Sequence, residues 1–200
     1  MTGAATGRQK EQPADSSDDA RLIGRCLQGD PQAWSALIDK YKNLIYSIPI
    51  KLGMYQDAAD IFQSVCVDLL SELPRLRDHR ALPKWLMQTC YHKCLRHQRT
   101  ADRLVELEPE GPDGAAGLTA DANDLPERML AQLQQEQMLR DAVSELPEKC
   151  EQMVRLLFFE LPPRPYEEIA DQLGMATGSI GAIRARCLAQ LRKLLKKRGF

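Results

Sequence analysis

The chain has 200 residues, 44% hydrophobic and 28% charged, which is ordinary for a soluble globular protein of one or two domains. No stretch approaches the ~20 apolar residues of a membrane helix, so no membrane insertion is expected. The net charge of −1 conceals a strong segregation of sign.

Residues 75–100 carry 7 Lys/Arg against 1 Asp/Glu, and residues 101–137 carry 2 against 9. Residues 175–200 carry 7 basic and no acidic side chains. Two basic blocks thus flank one acidic stretch. Basic blocks are the electrostatic footprint of nucleic-acid binding, or else solvated helix faces.

In chain order, residues 1–19 are rich in Gly, Ala, Ser and Asp and have no apolar core of a signal peptide, so they read as a disordered leader of a cytoplasmic protein. The six cysteines are expected to be reduced there, with Cys66, Cys150 and Cys187 as small core residues. Asp30-Pro31 starts a helix, with Asp as N-cap and Pro in the first turn. Trp34, Leu37, Ile38, Tyr41, Leu44, Ile45 and Ile48 then recur at three- and four-residue intervals. A third helix begins near Asp57, with Ala58, Ile61, Phe62, Val65, Cys66, Leu69 and Leu70 on one side, and Pro74 ends it. After a short basic loop, Leu82-Pro83 opens a fourth helix carrying Trp85, Leu86, Thr89, Cys90 and Leu95.

From Ala101 to Pro126 the periodicity fails among Gly, Pro and acids, which predicts a linker. Leu139, Val143 and Leu146, then Met153, Val154, Leu156 and Leu157, predict two helices broken at Pro147. Pro162-Pro163-Arg164-Pro165 cannot be helical. The fold class predicted is all-α, with two four-helix domains at residues 20–100 and 135–200 joined by an acidic linker at 101–134.

The segment from Tyr166 to Phe200 has the pattern of a helix-turn-helix. Ala170 is small where two helices cross, Gly174 suits a turn with positive φ, and Thr177 is positioned as the next N-cap. Ile180, Ile183, Cys187, Leu188 and Leu191 form the buried stripe. Exposed candidates for base contact are Thr177, Gly178, Ser179, Gly181, Ala182, Ala185 and Arg186. Glycines at 178 and 181 weaken a helix by about 1 kcal/mol each, which reads as close approach to DNA or as a frayed first turn. Arg192, Lys193, Lys196, Lys197 and Arg198 suit phosphate contacts, which set affinity more than sequence choice.

Asp57-Ala-Ala-Asp60-Ile61-Phe-Gln63-Ser64 resembles the second conserved region of bacterial sigma factors, and Leu82-Pro-Lys-Trp85-Leu86 the helix that follows its promoter-reading loop. Leu146-Pro147, Tyr166–Gly174 and Gly178-Ser179-Ile180 resemble the fourth region. With the third region absent, the chain resembles the extracytoplasmic-function group. The resemblance implies a non-enzymatic initiation factor that binds core RNA polymerase through its β′ coiled coil and β subunits. It implies promoter DNA as the second partner, an anti-sigma protein as a possible third, and no cofactor.

By resemblance, Asp57, Asp60, Ile61, Gln63 and Ser64 would dock on β′. Arg75, Arg77, Arg80, Lys84, Trp85, His92, Lys93 and Arg96 would meet the −10 element, with a base-capturing pocket near residues 76–81. Glu167, Thr177, Gly178, Ser179, Gly181, Ala182, Arg184 and Arg186 would read the −35 element, with Arg184 lying close to the buried stripe. The acidic linker would thread toward the RNA path of the polymerase, or simply solubilise the chain. Ser64 and Cys66 stand where the family usually has Glu and Phe, Gly181-Ala182 where a Lys/Arg-Ser pair is common, and His92 where Asn is common.

Two other readings compete. One is a helix-turn-helix regulator that never meets polymerase. The other is a metal or redox sensor built on Cys90, His92, Cys94 and His97, of which Cys90, Cys94 and His97 share a helix face. An enzyme has no support, since no phosphate loop, nucleophile motif or spaced acid pair is present.

Overall fold

The computed structural model describes residues 14–105, 125–160 and 162–200. The first thirteen residues and most of the acidic stretch, 106–124, lie outside the described residues. Among the described residues every regular element is helical. The α-helices are α1 (Ala14–Leu27), α2 (Pro31–Lys51), α3 (Ala58–Glu72), α4 (Leu82–Val105), α5 (Glu127–Ser144), α6 (Glu148–Phe158), α7 (Tyr166–Gln172) and α8 (Ile180–Lys197). The fold is all-α, built around two apolar cores.

The first core centres on α2. Asp30 caps it: its Oδ1 accepts from the Gln32 and Ala33 amides at 2.9 and 3.2 Å, while Pro31 fills the first turn. Leu37, Tyr41, Leu44, Ile45 and Ile48 face inward and meet Ile61, Val65 and Leu69 of α3 and Leu86, Met87, Cys90 and Cys94 of α4. Helix α1 starts inside the stretch expected to be a leader and packs on α2. Asp19 is buried there, accepting from Lys40 Nζ at 2.7 Å and from the Tyr41 hydroxyl at 2.6 Å, which satisfies a carboxylate that would otherwise be costly. Helix α3 stops at Glu72, and Pro74 lies in a 3₁₀ turn over Leu73–Arg75. A second 3₁₀ turn, His79–Ala81, is capped by Asp78 and leads directly into α4.

The second core holds Ala142, Val143, Leu146, Met153, Val154, Leu156, Ile169, Ala170, Ile180 and Leu191, with Cys150 and Cys187. These two cysteines were expected as reduced core residues, but a disulfide joins them, with Cα atoms 5.3 Å apart. Spacing alone could not pair them, because 37 residues separate them and only the fold brings them together.

Helix α5 belongs to both cores. Leu125, ahead of its first turn, and Leu133 are buried in the first core, with Met129 and Leu130 against it. Val143 and Ala142 lie in the second. Ordered helix therefore begins at Glu127, inside the stretch read from sequence as linker. Between the two sets, Gln137 and Asp141 are buried, with Gln137 Nε2 donating to Asp141 Oδ1 at 2.8 Å.

Candidate polymerase and nucleic-acid interfaces

Three surfaces carry the residues singled out above. The first is the outer face of α3. Asp60 and Gln63 are exposed on it, and Val67 (64% exposed) and Leu70 (57%) continue the same face. Leu70 was expected on the buried side, yet the helix turns it outward beside Val67. Ile61 was expected at the docking face, but it is 3% exposed and is a core residue. Asp57 sits just before α3 with no side-chain cap bond, and its Oδ1 lies 3.8 Å from His97 Nε2 of α4. Phe62 and Cys66 are half-buried between the two faces, and Phe62 stacks on Tyr46 with ring centroids 4.6 Å apart. Burial pushes the Cys66 thiol above its ordinary pKa. A shallow groove beside this face is lined by Trp34, Ile38, Cys66 and Leu70.

The second surface runs from the 3₁₀ turns onto α4. Arg75, Arg77, Arg80, Lys84 and Arg96 are exposed, and Trp85 and His92 are half-buried. His92 and Arg96 lie one turn apart on α4, and Lys84, eight residues before His92, spreads this cationic side over about 120° of the helix. Lys93 lies off that side. Its Nζ donates to Ser64 Oγ at 2.7 Å and pairs with Asp68 at 2.8 Å, so this cation is committed to α3. Arg75 pairs with Glu72 at 2.7 Å. The gap between the turn and α4, lined by Leu69, Leu73, Leu76, Leu82 and Trp85, is no larger than one water molecule. A base would have to move these side chains to enter it.

The Cys/His group does not assemble. Cys90 and Cys94 are fully buried, with Cys90 Sγ donating to the Ile45 carbonyl at 3.4 Å. The hydrogen bond between the two cysteines, reinforced by burial, raises the Cys90 thiol's pKa, and the same bond lowers that of Cys94. His97 instead faces Asp57, and His92 leans on Tyr91.

The third surface is the helix-turn-helix. After α7, Gly174 adopts φ 61°, a left-handed conformation that glycine reaches without a Cβ penalty, and the Met175 amide closes back on the Ala170 carbonyl at 2.9 Å. Thr177 does not cap α8. Thr177–Ser179 form a 3₁₀ turn, and Ser179 Oγ donates to the Ala176 carbonyl at 2.7 Å. Helix α8 then presents Gly181, Ala182, Ala185 and Arg186 outward, and Thr177, Gly178 and, on α7, Glu167 are exposed as well. Arg184 turns away from this row. Its guanidinium lies 5.6 Å from the Phe158 ring centre, so its apolar stem packs on α6. Arg192, Lys193, Lys196 and Lys197 are exposed along the end of α8. Arg198 folds back instead, pairing with Glu145 at 2.7 Å.

Neither Gly178 nor Gly181 is required by the fold. Both have ordinary φ, and a Cβ built on either meets nothing within 4 Å.

Residues 142–193, from the end of α5 through most of α8, match the family model described as sigma-70, region 4. The chain is similar over 178 residues, at 22% identity, to the ECF RNA polymerase sigma-E factor of Haemophilus influenzae, covering 84% of this chain and 89% of that protein. It is 26% identical over 142 residues to the RNA polymerase sigma factor YlaC of Bacillus subtilis, covering 71% and 79% of the two chains. It is 24% identical over 172 residues to the RNA polymerase sigma-H factor of Pseudomonas aeruginosa, covering 81% and 86%. Alignments of this length cannot be confined to the region 4 unit and must run through much of the α1–α4 bundle. The similarity therefore spans both cores, and over its length the chain is similar to RNA polymerase sigma factors, one of them of the ECF group.

Proposed function

We infer that this protein directs core RNA polymerase to promoters, as a cytoplasmic adaptor without catalytic chemistry of its own. The observation that carries this reading is the presence, on one chain, of a helix-turn-helix with a cationic recognition helix and a separate bundle with an unpartnered α3 face. A plain helix-turn-helix regulator has no use for the second.

The α3 face mixes exposed apolar side chains, Val67 and Leu70, with the carboxylate and amide of Asp60 and Gln63. Exposed apolar groups rimmed by polar ones suit a protein partner, here the β′ coiled coil. The α4 stripe of Lys84, His92 and Arg96, with Arg77 and Arg80 ahead of it, suits the −10 DNA backbone. On α8, Arg186 is the exposed side chain long enough to reach base edges, while Lys196 and Lys197 lie where phosphates would pass. Glycines at 178 and 181 that the protein's own packing does not need are explained by a DNA backbone lying against them. An anti-sigma protein would act by covering either the α3 face or the recognition helix.

The test is association of the purified chain with core polymerase lacking any other sigma subunit, followed by in vitro transcription on genomic DNA with start-site mapping. Stable association and discrete start sites are expected. A chain that binds DNA but not core polymerase overturns the reading in favour of an ordinary regulator.

A further inference from the structure

The Cys150–Cys187 bond joins the first turn of α6 to the middle of α8. The chain enclosed between the two cysteines contains α7, the Gly174 turn and the base-facing start of α8. The covalent loop therefore encloses the DNA-facing part of the helix-turn-helix. The other four cysteines are free, including Cys90 and Cys94, which lie one turn apart in the first core. The one disulfide among the six cysteines is thus the pair that clamps the recognition helix.

Disulfides are rare where RNA polymerase works, and those that occur there are usually transient or redox-sensing. The surroundings of this pair suit both states. Ile169, Ala170, Ile180 and Leu191 share its apolar cluster, so two thiols in place of the bond would also sit among apolar side chains. Gln190 Oε1 lies 3.6 Å from Cys150 Sγ, where it accepts a hydrogen bond from the re-formed thiol. Cys150 is at the edge of the core, 9% exposed, and Cys187 is at its centre, 0% exposed.

We propose that Cys150 and Cys187 form a thiol–disulfide switch that sets how firmly the recognition helix is held. The co-reactant is a low-molecular-weight disulfide of the glutathione class. The Cys150 thiolate attacks one of its sulfurs, the disulfide's own S–S bond breaks, and one thiol departs with a proton. The Cys187 thiolate then attacks Cys150 Sγ in the mixed disulfide and releases the second thiol with the second proton. One S–S bond is consumed and one is formed, and two electrons pass from the cysteine pair to the small disulfide. The reverse reaction restores both thiols. The bonded form confines α7 and the start of α8, and the reduced form lets them open. The consequence for promoter binding rests on the reading of this unit as the −35 reader.

The experiment uses the full chain in glutathione buffers of graded oxidised-to-reduced ratio. Samples are alkylated for mass spectrometry of the 150–187 link, and amide hydrogen exchange is followed in parallel. The link is expected to form and break reversibly across the series. Reduction is expected to speed exchange in α7 and the first half of α8 at least tenfold, leaving α2–α4 unchanged. Cys150→Ser should exchange at the fast rate in every buffer, and Cys187→Ala serves the same purpose should the serine variant misfold. A pair that stays wholly bonded or wholly reduced throughout, or exchange that ignores the redox state, overturns the switch. Neither readout uses DNA or polymerase, so a failed switch is distinguishable from failed promoter recognition.

Discussion

Lys51 Nζ, at the end of α2, lies 2.9 Å from Glu136 Oε1 in the middle of α5, and this ion pair ties the first bundle to the helix that runs on into the second. Burial alone would raise the Glu136 pKa, but hydrogen bonds from Lys51 and Gln132 outweigh it and hold the carboxyl below its ordinary value. A carboxylate whose folded pKa is depressed adds stability above its unfolded pKa, near 4.3 for Glu, and loses it as pH falls through the lowered folded value. Lys51→Met should cost about 0.5–1 kcal/mol at pH 7, in the range of partly exposed pairs. The difference between wild type and variant should vanish below about pH 3. Urea denaturation at a series of pH values measures both.

Leu133 is fully buried in the first core although it lies within residues 101–134, the span assigned to the linker between the two expected domains. Leu133→Ala should destabilise the α1–α4 bundle by about 2–5 kcal/mol. A true linker position would cost less than about 0.5 kcal/mol. Chemical unfolding followed by tryptophan fluorescence separates the two outcomes, since both Trp34 and Trp85 pack against that core.

Asp60 and Gln63 are exposed and far from any core, so their replacement leaves folding alone. Asp60→Ala/Gln63→Ala should weaken association with core polymerase by roughly tenfold or more, as interface polar groups at a docking centre do. Val67→Asp should do the same through the apolar part of the face. Direct binding with labelled polymerase reads the change, and unaltered affinity for both variants places the docking surface elsewhere.

On α8, Arg186→Ala should cost about 1–3 kcal/mol at the cognate −35 sequence and relax preference at one base position. Lys196→Ala/Lys197→Ala should weaken binding uniformly and flatten the salt dependence by about two phosphate contacts, a slope change near 1.8. Titrations at several salt concentrations distinguish a base contact from a phosphate contact.

Gly181→Ala gives opposite signs for stability and binding. With open space around the new Cβ, the helix should gain up to about 1 kcal/mol. If a DNA backbone lies against this position, promoter affinity should fall although the protein melts higher. A variant gaining in both respects would show that Gly181 is merely tolerated.

Much of this fold was legible from periodicity and punctuation. Asp30-Pro31 starts α2, Pro74 stops α3, Leu82-Pro83 opens α4, and Gly174 makes the turn, because caps, prolines and positive φ act through nearest neighbours. What was not legible depends on distant partners. Leu125, Met129, Leu130 and Leu133 do recur at helical intervals, but the surrounding acids and glycines masked them, and only the first core explains where they go. The commitment of Lys93 to Ser64 and Asp68 joins α4 to α3 and cannot be read from either helix alone. Ile61 and Arg184 fall within motifs by resemblance, yet one faces the core and the other packs on Phe158. A motif fixes a position along the chain, whereas the helical phase decides which side chain looks outward.

Leu133 and Val143 serve different cores from one uninterrupted helix, ten positions apart, which at 3.6 residues per turn sets them about 80° apart around the axis. The offset between the two units is therefore measured in helical pitch. Deleting or inserting one residue near Gln137 would swing one unit about 100° against the other and shift it ~1.5 Å, while a seven-residue insertion would nearly restore the phase and lengthen the bridge by ~10 Å. Tolerance to length change in α5 should accordingly rise and fall with the turn of the helix, as the teeth of a gear meet only at certain settings.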